Sequence, residues 1–305
     1  MPASAIEVRD FVKRYGDFVA VSGISFSVSR GEVFGLLGPN GAGKTTILEC
    51  LEGLRFADRG TLRVAGLDPA SDLASLRRRI GVQLQSSGLP DTMTVSEAVR
   101  IFCAYRGIAP RMDLLARLRL GDQQRTGYAA LSKGQQRLLN LVLALIHEPE
   151  IEILDEPTAG LDVASRSELH RLIRELRSAG TTVLMATLDM AEAEELCDHV
   201  AILLRGQLAA VGTPLQITAQ GAGLTKITVQ TERSLLLTAV QEWPGVVRTA
   251  PGDGYAVYYS DSVARTLAAL LAEIDRLNDS LVDLRVERPS LEDRFLEITT
   301  PGRLP

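Results

Sequence analysis

Gly38-Pro39-Asn40-Gly41-Ala42-Gly43-Lys44-Thr45-Thr46 follows directly on the apolar run Val33-Phe34-Gly35-Leu36-Leu37. It satisfies the pattern G-x-x-x-x-G-K-[ST] in the context that gives the pattern meaning, after a strand of buried type and at the start of a helical segment beginning at Lys44. Gly38, Gly41 and Gly43 let the main chain curl, so that successive N–H groups and the positive end of the helix converge on an anion. Gly38 to Thr46, with Pro39, Asn40 and Ala42 contributing main chain, therefore reads as a cradle for the phosphates of ATP. Lys44 is placed to reach the β- and γ-phosphates, Thr45 to ligate Mg²⁺ and Thr46 to donate to an inner phosphate.

Outward from that loop, strands and helices alternate. Segments of alternating polarity at Ile6–Val12 and Val19–Val28 precede it; short apolar strands at Ile80–Leu84, Ile151–Leu154, Thr182–Met185 and Val200–Leu204 follow, separated by longer helical patterns. That order predicts an α/β domain with a mainly parallel sheet. Between Thr94 and Ile146 the periodicity is helical only, which predicts an inserted helical subdomain at about residues 86–147. The pattern changes near Thr213-Pro214, and Gly221–Gly223 reads as a linker, so domains of 1–220 and 221–305 are expected. The second runs strand (Lys226–Gln230), helix (Ser234–Glu242), strand (Val246–Thr249), strand (Tyr255–Ser260), helix (Ser262–Leu277), strand (Leu281–Val286). This βαββαβ order predicts a small α+β ferredoxin-like domain, with Pro251-Gly252-Asp253-Gly254 as its hairpin turn. No catalytic constellation is visible there.

Composition narrows the function classes. The chain has 305 residues, 46% hydrophobic and 23% charged, ordinary for a folded globular protein of more than one domain. A net charge of −5 gives no basic face for a polyanion, so no nucleic acid is expected as partner. Arg77, Arg78 and Arg79, and Arg171, Arg174 and Arg177 at near-helical spacing, read as solvated faces. Cys50, Cys103 and Cys197 are widely spaced and read as reduced and structural. The longest apolar stretch, Leu138–Ile146, is far shorter than the roughly 20 residues a bilayer requires. No basic segment followed by an apolar run opens the chain, so no secretory signal is read and a cytoplasmic location is expected.

Two further motifs carry chemistry. Ile151-Glu152-Ile153-Leu154-Asp155-Glu156 is an apolar strand ending in two carboxylates: Asp155, at its tip, suits the shell of Mg²⁺, and Glu156 can polarise an attacking water. Glu152 interrupts the apolar run and reads as partly exposed or partnered by a neighbouring element. Between loop and strand lies Leu131-Ser132-Lys133-Gly134-Gln135, just before an apolar helix ending near His147. The phosphate loop, then LSKGQ, then ILDEPTAGLD (Ile153–Asp162), resembles the ATP-binding subunits of ATP-binding cassette (ABC) transporters over roughly residues 5–215.

The resemblance implies a P-loop NTPase fold with an ABC-type mixed sheet core, an antiparallel β subdomain and a helical subdomain. Tyr15, in VKRYGD, matches the aromatic residue that stacks on adenine. Gln85 matches the glutamine that senses Mg²⁺ and the membrane partner; Gln83, inside the strand, is its rival by sequence. Lys44, Glu156 and Gln85 are the implied catalytic residues, and Thr45, Gln85 and Asp155 the implied Mg²⁺ ligands. Ser132, Gly134 and Gln135 match the signature that opens a helix and offers donors to ATP held by the opposite subunit. Lys133 replaces the usual first glycine of that signature and is expected to point to solvent. Ala159-Gly160-Leu161-Asp162 matches a loop that crosses the dimer interface. Each ATP is then shared between one subunit's phosphate loop and another's signature, so a second nucleotide-binding subunit is required, homo- or heterodimeric and head to tail. A separate multispan permease is the other implied partner, placing the chain peripherally on the cytoplasmic face of the cell membrane.

One departure stands out. Similar proteins carry a histidine after the strand that follows the D-loop helix, donating to the γ-phosphate; Met185-Ala186-Thr187-Leu188-Asp189 has Leu188 there. Leucine neither donates nor carries charge, and none of His147, His170 and His199 lies in the matching place. Two readings compete: slow but useful hydrolysis sustained by Glu156, or an ATP-binding regulatory subunit with weak hydrolysis. The ending Arg288-Pro289-Ser290-Leu291-Glu292-Asp293-Arg294-Phe295-Leu296 is similar to that of daunorubicin-resistance-type drug and lipid exporter subunits, which implies export. The same residues also read locally as a helix capped by Ser290, with Glu292 and Asp293 in its first turn. Cassette proteins acting on ribosomes or DNA are the other class; their paired cassettes or long coiled-coil insertions do not appear in this sequence.

Overall fold

The computed structural model describes residues 4–84, 88–220, 224–237, 242–251 and 254–299. Two compact units are present, Met1–Pro214 and Leu215–Pro305.

In the first unit, β1 (Ser4–Tyr15), β2 (Phe18–Ser29), β3 (Val33–Leu37), β4 (Arg59–Val64), β5 (Ile80–Gln83), β6 (Ile151–Asp155), β7 (Thr182–Thr187), β8 (His199–Leu204) and β9 (Gln207–Gly212) form two sheets. The six-stranded sheet runs β5-β6-β7-β3-β8-β9, and the three-stranded one β2-β1-β4. All neighbours from β5 to β8 are parallel, and β9 closes the edge antiparallel to β8, so the core sheet is mixed. β1 pairs antiparallel with β2 and β4, forming the antiparallel subdomain. β3, β6 and β7 are buried along their whole length, which is why they read as continuous apolar runs and not as alternation. β4 and β9 escaped the sequence reading because RGTLRV and QLAAVG carry little apolar signal; pairing with long neighbours fixes them instead.

Glu152 is a correction. It lies in β6 at 0% exposure, and neither carboxyl oxygen has a hydrogen-bond partner, so it is neither partly exposed nor partnered. Its register neighbour on β5 is Gly81, and a Cβ there would stand 2.0 Å from Glu152 Oε2. Glycine makes the room, and burial pushes the carboxyl well above the usual range.

Between β5 and β6 the described residues are helical, as the periodicity predicts. Helix Val95–Arg106 opens on a Thr94–Glu97 capping box and ends at Gly107. Helix Lys133–Leu145 opens on a second box, Ser132 with Gln135. The arginines of helix Val163–Ser178 form surface ion pairs: Arg171 with Glu168 and Glu175, Arg174 with Glu195, Arg177 with Asp198. Cys50, Cys103 and Cys197 are free and buried.

In the second unit β10 (Thr225–Thr231), β11 (Val246–Pro251), β12 (Ala256–Ser260) and β13 (Leu281–Glu287) pair antiparallel in the order β11-β12-β10-β13. Helix Val263–Arg276 contributes Leu270 and Ile274 to a core with Ile227, Val229, Trp243 and Tyr258. Of the helix expected at Ser234–Glu242, the described part is a single 3₁₀ turn, Leu235–Leu237, and 238–241 lie outside the described residues, as do 252 and 253 of the expected hairpin turn. Helix Leu291–Thr299 begins as its sequence predicts: Ser290 Oγ accepts from Asp293 N–H at 3.1 Å, and Ser290 N–H donates to Asp293 Oδ2 at 2.9 Å.

Candidate functional site

Parallel strands deliver their carboxyl ends to one edge of the sheet, and in this topology β3, β6 and β7 are neighbours. β3 runs into the glycine loop, β6 ends on Asp155 with Glu156 next, and β7 ends beside Leu188. Residues more than a hundred positions apart in sequence therefore meet.

The loop wraps tightly. A Cβ on Gly38 would stand 2.3 Å from the Leu203 carbonyl of β8, so only glycine passes there. Helix Lys44–Leu51 follows without a side-chain cap, leaving its first N–H groups for a ligand. Lys44 is 6% exposed; its Nζ donates to the Gly38 carbonyl at 2.6 Å and the Pro39 carbonyl at 3.4 Å and lies 3.5 Å from Glu156 Oε1. Burial lowers the Lys44 pKa, against the opposing charges of Glu156 and Asp155.

Thr45 Oγ1 donates to Asp155 Oδ2 at 3.0 Å, while Asp155 Oδ1 is buried without a partner. Glu156 has φ 49, an uncommon backbone state for a residue with a side chain, and its Oε1 is also buried without a hydrogen-bond partner. Burial raises both carboxyls; the Thr45 hydroxyl and Lys44 oppose this at Asp155, Lys44 and the Leu188 N–H at Glu156. A hydroxyl and a hard carboxylate with an unused oxygen suit Mg²⁺, which usually completes its shell with water and substrate phosphate. No cluster of three or more His, Cys, Asp or Glu able to hold a metal occurs among the described residues.

These groups line a cavity of about 460 Å³ that also takes in Tyr15 and Phe18. Tyr15 OH lies 3.5 Å from Thr46 Oγ1, with Lys13 and Arg55 5.5 Å and 5.3 Å from the ring centroid. Phe18, 64% exposed at the mouth, was missed in the sequence because one aromatic in an alternating strand is no signal. Pro39, Asn40, Gly41, Gly43 and Thr46 line the cavity as well; Ser132, Gly134 and Gln135 do not. Ser132 and Gln135 are joined to each other, Ser132 N–H donating to Gln135 Oε1 at 3.0 Å, and Lys133 is exposed, as expected. Gln85 lies outside the described residues. Gln83 is 2% exposed inside β5.

Leu188 is 42% exposed, and none of the three histidines lines the cavity. His147 Nε2 lies 3.0 Å from the Ile80 carbonyl, His199 Nδ1 3.0 Å from Glu32, and His170 Nε2 3.2 Å from Glu192. Arg137 is another residue the sequence did not single out. It is on the helix opened by Ser132, and its Nη1 donates to the Glu156 carbonyl at 2.6 Å and to the Ala159 carbonyl. Burial lowers its pKa. Its partners lie 19 and 22 residues away, beyond any local spacing rule.

Near the site Glu52, at 4% exposure, has its carboxyl pushed up to about 8, mainly by burial and further by the charges of Asp155 and Glu49. A carboxyl raised on folding binds more protons in the native state than in the unfolded one, so its contribution to stability declines as pH climbs from about 4.3 toward about 8. Glu52→Gln is therefore expected to raise the melting temperature more at pH 8 than at pH 5, as thermal melts at the two pH values check; an equal shift at both would contradict the assignment.

The family model described as ABC transporter matches residues 21–159. Over 312 residues the chain is 35% identical to the daunorubicin resistance ATP-binding protein DrrA3 of Streptomyces coeruleorubidus, covering 99% of this chain and 98% of that protein. It is 39% identical over 220 residues to the Nod factor export ATP-binding protein I of Burkholderia lata, covering 70% and 72%. With the linearmycin resistance ATP-binding protein LnrL of Bacillus subtilis it shares 31% over 305 residues, covering 96% and 98%. Among solved structures, an ATP-binding subunit of an ABC transporter superposes with TM-score 0.67 at 30% identity, covering 72% of this chain and 94% of that one. The ADP conformation of MJ1267, an ATP-binding cassette, gives TM-score 0.62 at 25% identity, covering 69% and 91%.

Proposed function

The chain belongs to the ABC transporter family as an ATP-binding subunit, an ATPase coupled to transport, and we propose that it powers export of a drug-like, lipid or other hydrophobic substrate through a separate membrane permease. The observation that carries this reading is the convergence of Lys44, Thr45, Asp155 and Glu156 beyond the carboxyl ends of β3 and β6, the strands on either side of β7, joined by a 3.0 Å bond and a 3.5 Å ion pair.

In the proposed mechanism the loop N–H groups and Lys44 hold the phosphates, Tyr15 stacks on the adenine, and Glu156 takes a proton from the attacking water. Thr45, Asp155 and, by family likeness, Gln85 would hold Mg²⁺, which when bound would neutralise charge on the phosphate oxygens. Ser132, Gly134 and Gln135, which do not line this chain's own cavity, serve the ATP of a second cassette arranged head to tail. ATP binding closes the two cassettes and phosphate release reopens them.

No helix among the described residues is long and apolar enough to cross a membrane. A groove of about 370 Å³ between β5 and the helical subdomain, lined by Leu54, Leu84, Leu89 and Phe102, supports docking of a permease there. Tyr105 and Phe56, one and two residues in sequence from its lining residues Arg106 and Leu54, are 80% and 63% exposed, large apolar surfaces of the kind that mark a partner site. The names of relatives, Nod factor export, daunorubicin resistance and linearmycin resistance, support export as the direction. The chain would then sit on the cytoplasmic face of the membrane.

Leu188 favours a second reading, an ATP-binding regulatory subunit with weak hydrolysis. Steady-state turnover of wild type, Leu188→His and Glu156→Gln in the assembled complex separates the two. We expect wild-type turnover above the Glu156→Gln background and a rise in Leu188→His of up to about 10²-fold, the scale of one added preorganised donor. Wild-type turnover equal to that background would overturn the active-enzyme reading.

A further inference from the structure

Four buried polar side chains meet behind the strand ends that carry Glu156 and Leu188. Glu192, 3% exposed, accepts on Oε2 from Thr158 Oγ1 at 3.1 Å and from Thr187 Oγ1 at 2.9 Å, and its Oε1 lies 3.2 Å from His170 Nε2. Thr158 stands two residues after Glu156, and Thr187 immediately precedes Leu188. One carboxylate therefore holds both segments that flank the site. Asp189 completes the clamp, its Oδ1 accepting from Glu192 N–H and its own N–H donating to Thr187 Oγ1, each at 3.0 Å. Around it Glu195 Oε2 lies 3.4 Å from His170 Nδ1, and Arg166 Nη1 donates to Asp189 Oδ2 at 3.4 Å.

The clamped segments are joined in front by main chain. Glu156 N–H donates to the Ala186 carbonyl at 2.9 Å, joining the end of β6 to β7. Glu156 holds a left-handed φ of 49, a conformation that persists only where surrounding structure enforces it.

We propose that Glu192 is a positioning residue for hydrolysis: through Thr158 and Thr187 it ties the segment after Glu156 to the end of β7 and so fixes the main chain that aims the Glu156 carboxylate. The requirement is an acceptor that faces two hydroxyls, not a negative charge. A glutamine supplies that acceptor with its carbonyl oxygen; a methionine of similar length leaves both hydroxyls buried and unsatisfied.

The inference rests on Glu156 as the hydrolytic base, and the experiment separates failure of each. In the full-length chain, ATP turnover and ATP affinity are measured for wild type, Glu192→Gln, Glu192→Met, Thr187→Val and Glu156→Gln. Displacement of a base by a fraction of its productive geometry is expected to cost Glu192→Met about ten- to a hundredfold in kcat. ATP affinity should stay within about twofold, because Glu192 touches none of the phosphate loop, and Glu192→Gln should recover most of the rate. Thr187→Val keeps shape and loses one hydroxyl; it should lower kcat in the same sense, and it carries the test if Glu192→Met does not fold. Wild-type kcat in Glu192→Met or Thr187→Val, or a loss of ATP affinity in step with kcat, would overturn the proposal. Glu156→Gln turning over like wild type would instead remove the hydrolytic reading beneath it.

Discussion

Glu156→Gln is expected to lower ATP turnover by about 10²–10⁴-fold, the contribution of a positioned general base, while ATP binding survives. The carboxyl has the features such a base needs. It is largely buried, its pKa is raised by burial against the opposing charge of Lys44, and its Oε1 is left free of hydrogen bonds. Glutamine keeps the shape but cannot take a proton. Binding is preserved because the phosphate-facing groups are on other elements, and the ion pair lost with Lys44 is 3.5 Å long. Single-turnover hydrolysis beside equilibrium ATP binding checks both halves. Retained turnover would show that another group accepts the proton; lost binding would show that Glu156 works mainly by holding Lys44.

Gly38→Ala is expected to damage fold and ATP binding together. The new methyl would stand 2.3 Å from the Leu203 carbonyl and 3.1 Å from Ala42 Cβ. Leu203 lies in β8, which pairs with β3, so the carbonyl cannot retreat without disturbing the central sheet. The loop must shift instead, carrying its N–H groups off the phosphate positions. Overpacking of this kind costs about 1–3 kcal/mol, which lowers the melting temperature by roughly 2–4 °C per kcal/mol in a domain of this size. ATP affinity should fall at least about tenfold, given how steeply positioned donors depend on geometry. Gly41→Ala is the control: its φ is 78 but nothing lies within 4 Å of the added Cβ, so it should meet only the backbone penalty, about 1–2 kcal/mol. Isothermal calorimetry and thermal melts of the two variants test the contrast, and equal effects would place the cost in backbone conformation alone.

Individual residues show how far local signals reach. The phosphate loop, the Asp155-Glu156 strand end and the Ser132 helix start were legible because each motif is short and its chemistry depends on neighbours in sequence. Ser290 was legible for the same reason, since a helix cap is a contact across three residues. Glu152 was not: a carboxyl between isoleucines gives no indication that a glycine on the next strand clears a space for it. Arg137 and Glu192 were not either, because their partners belong to elements brought alongside by folding.

By itself the sequence determined the family, the α/β class, the ATP-binding loop and the departure at Leu188, all of which follow from residue types at fixed short spacings. Only the tertiary structure decided the order β5-β6-β7-β3-β8-β9, and with it which strand ends converge on Lys44. It also decided that Glu192 clamps the segments that follow Glu156 and precede Leu188. The physical reason is that hydrogen bonds and desolvation act over a few ångströms in space, and residues 44, 137, 156, 188 and 192 become neighbours only when a parallel sheet sets their strand ends side by side.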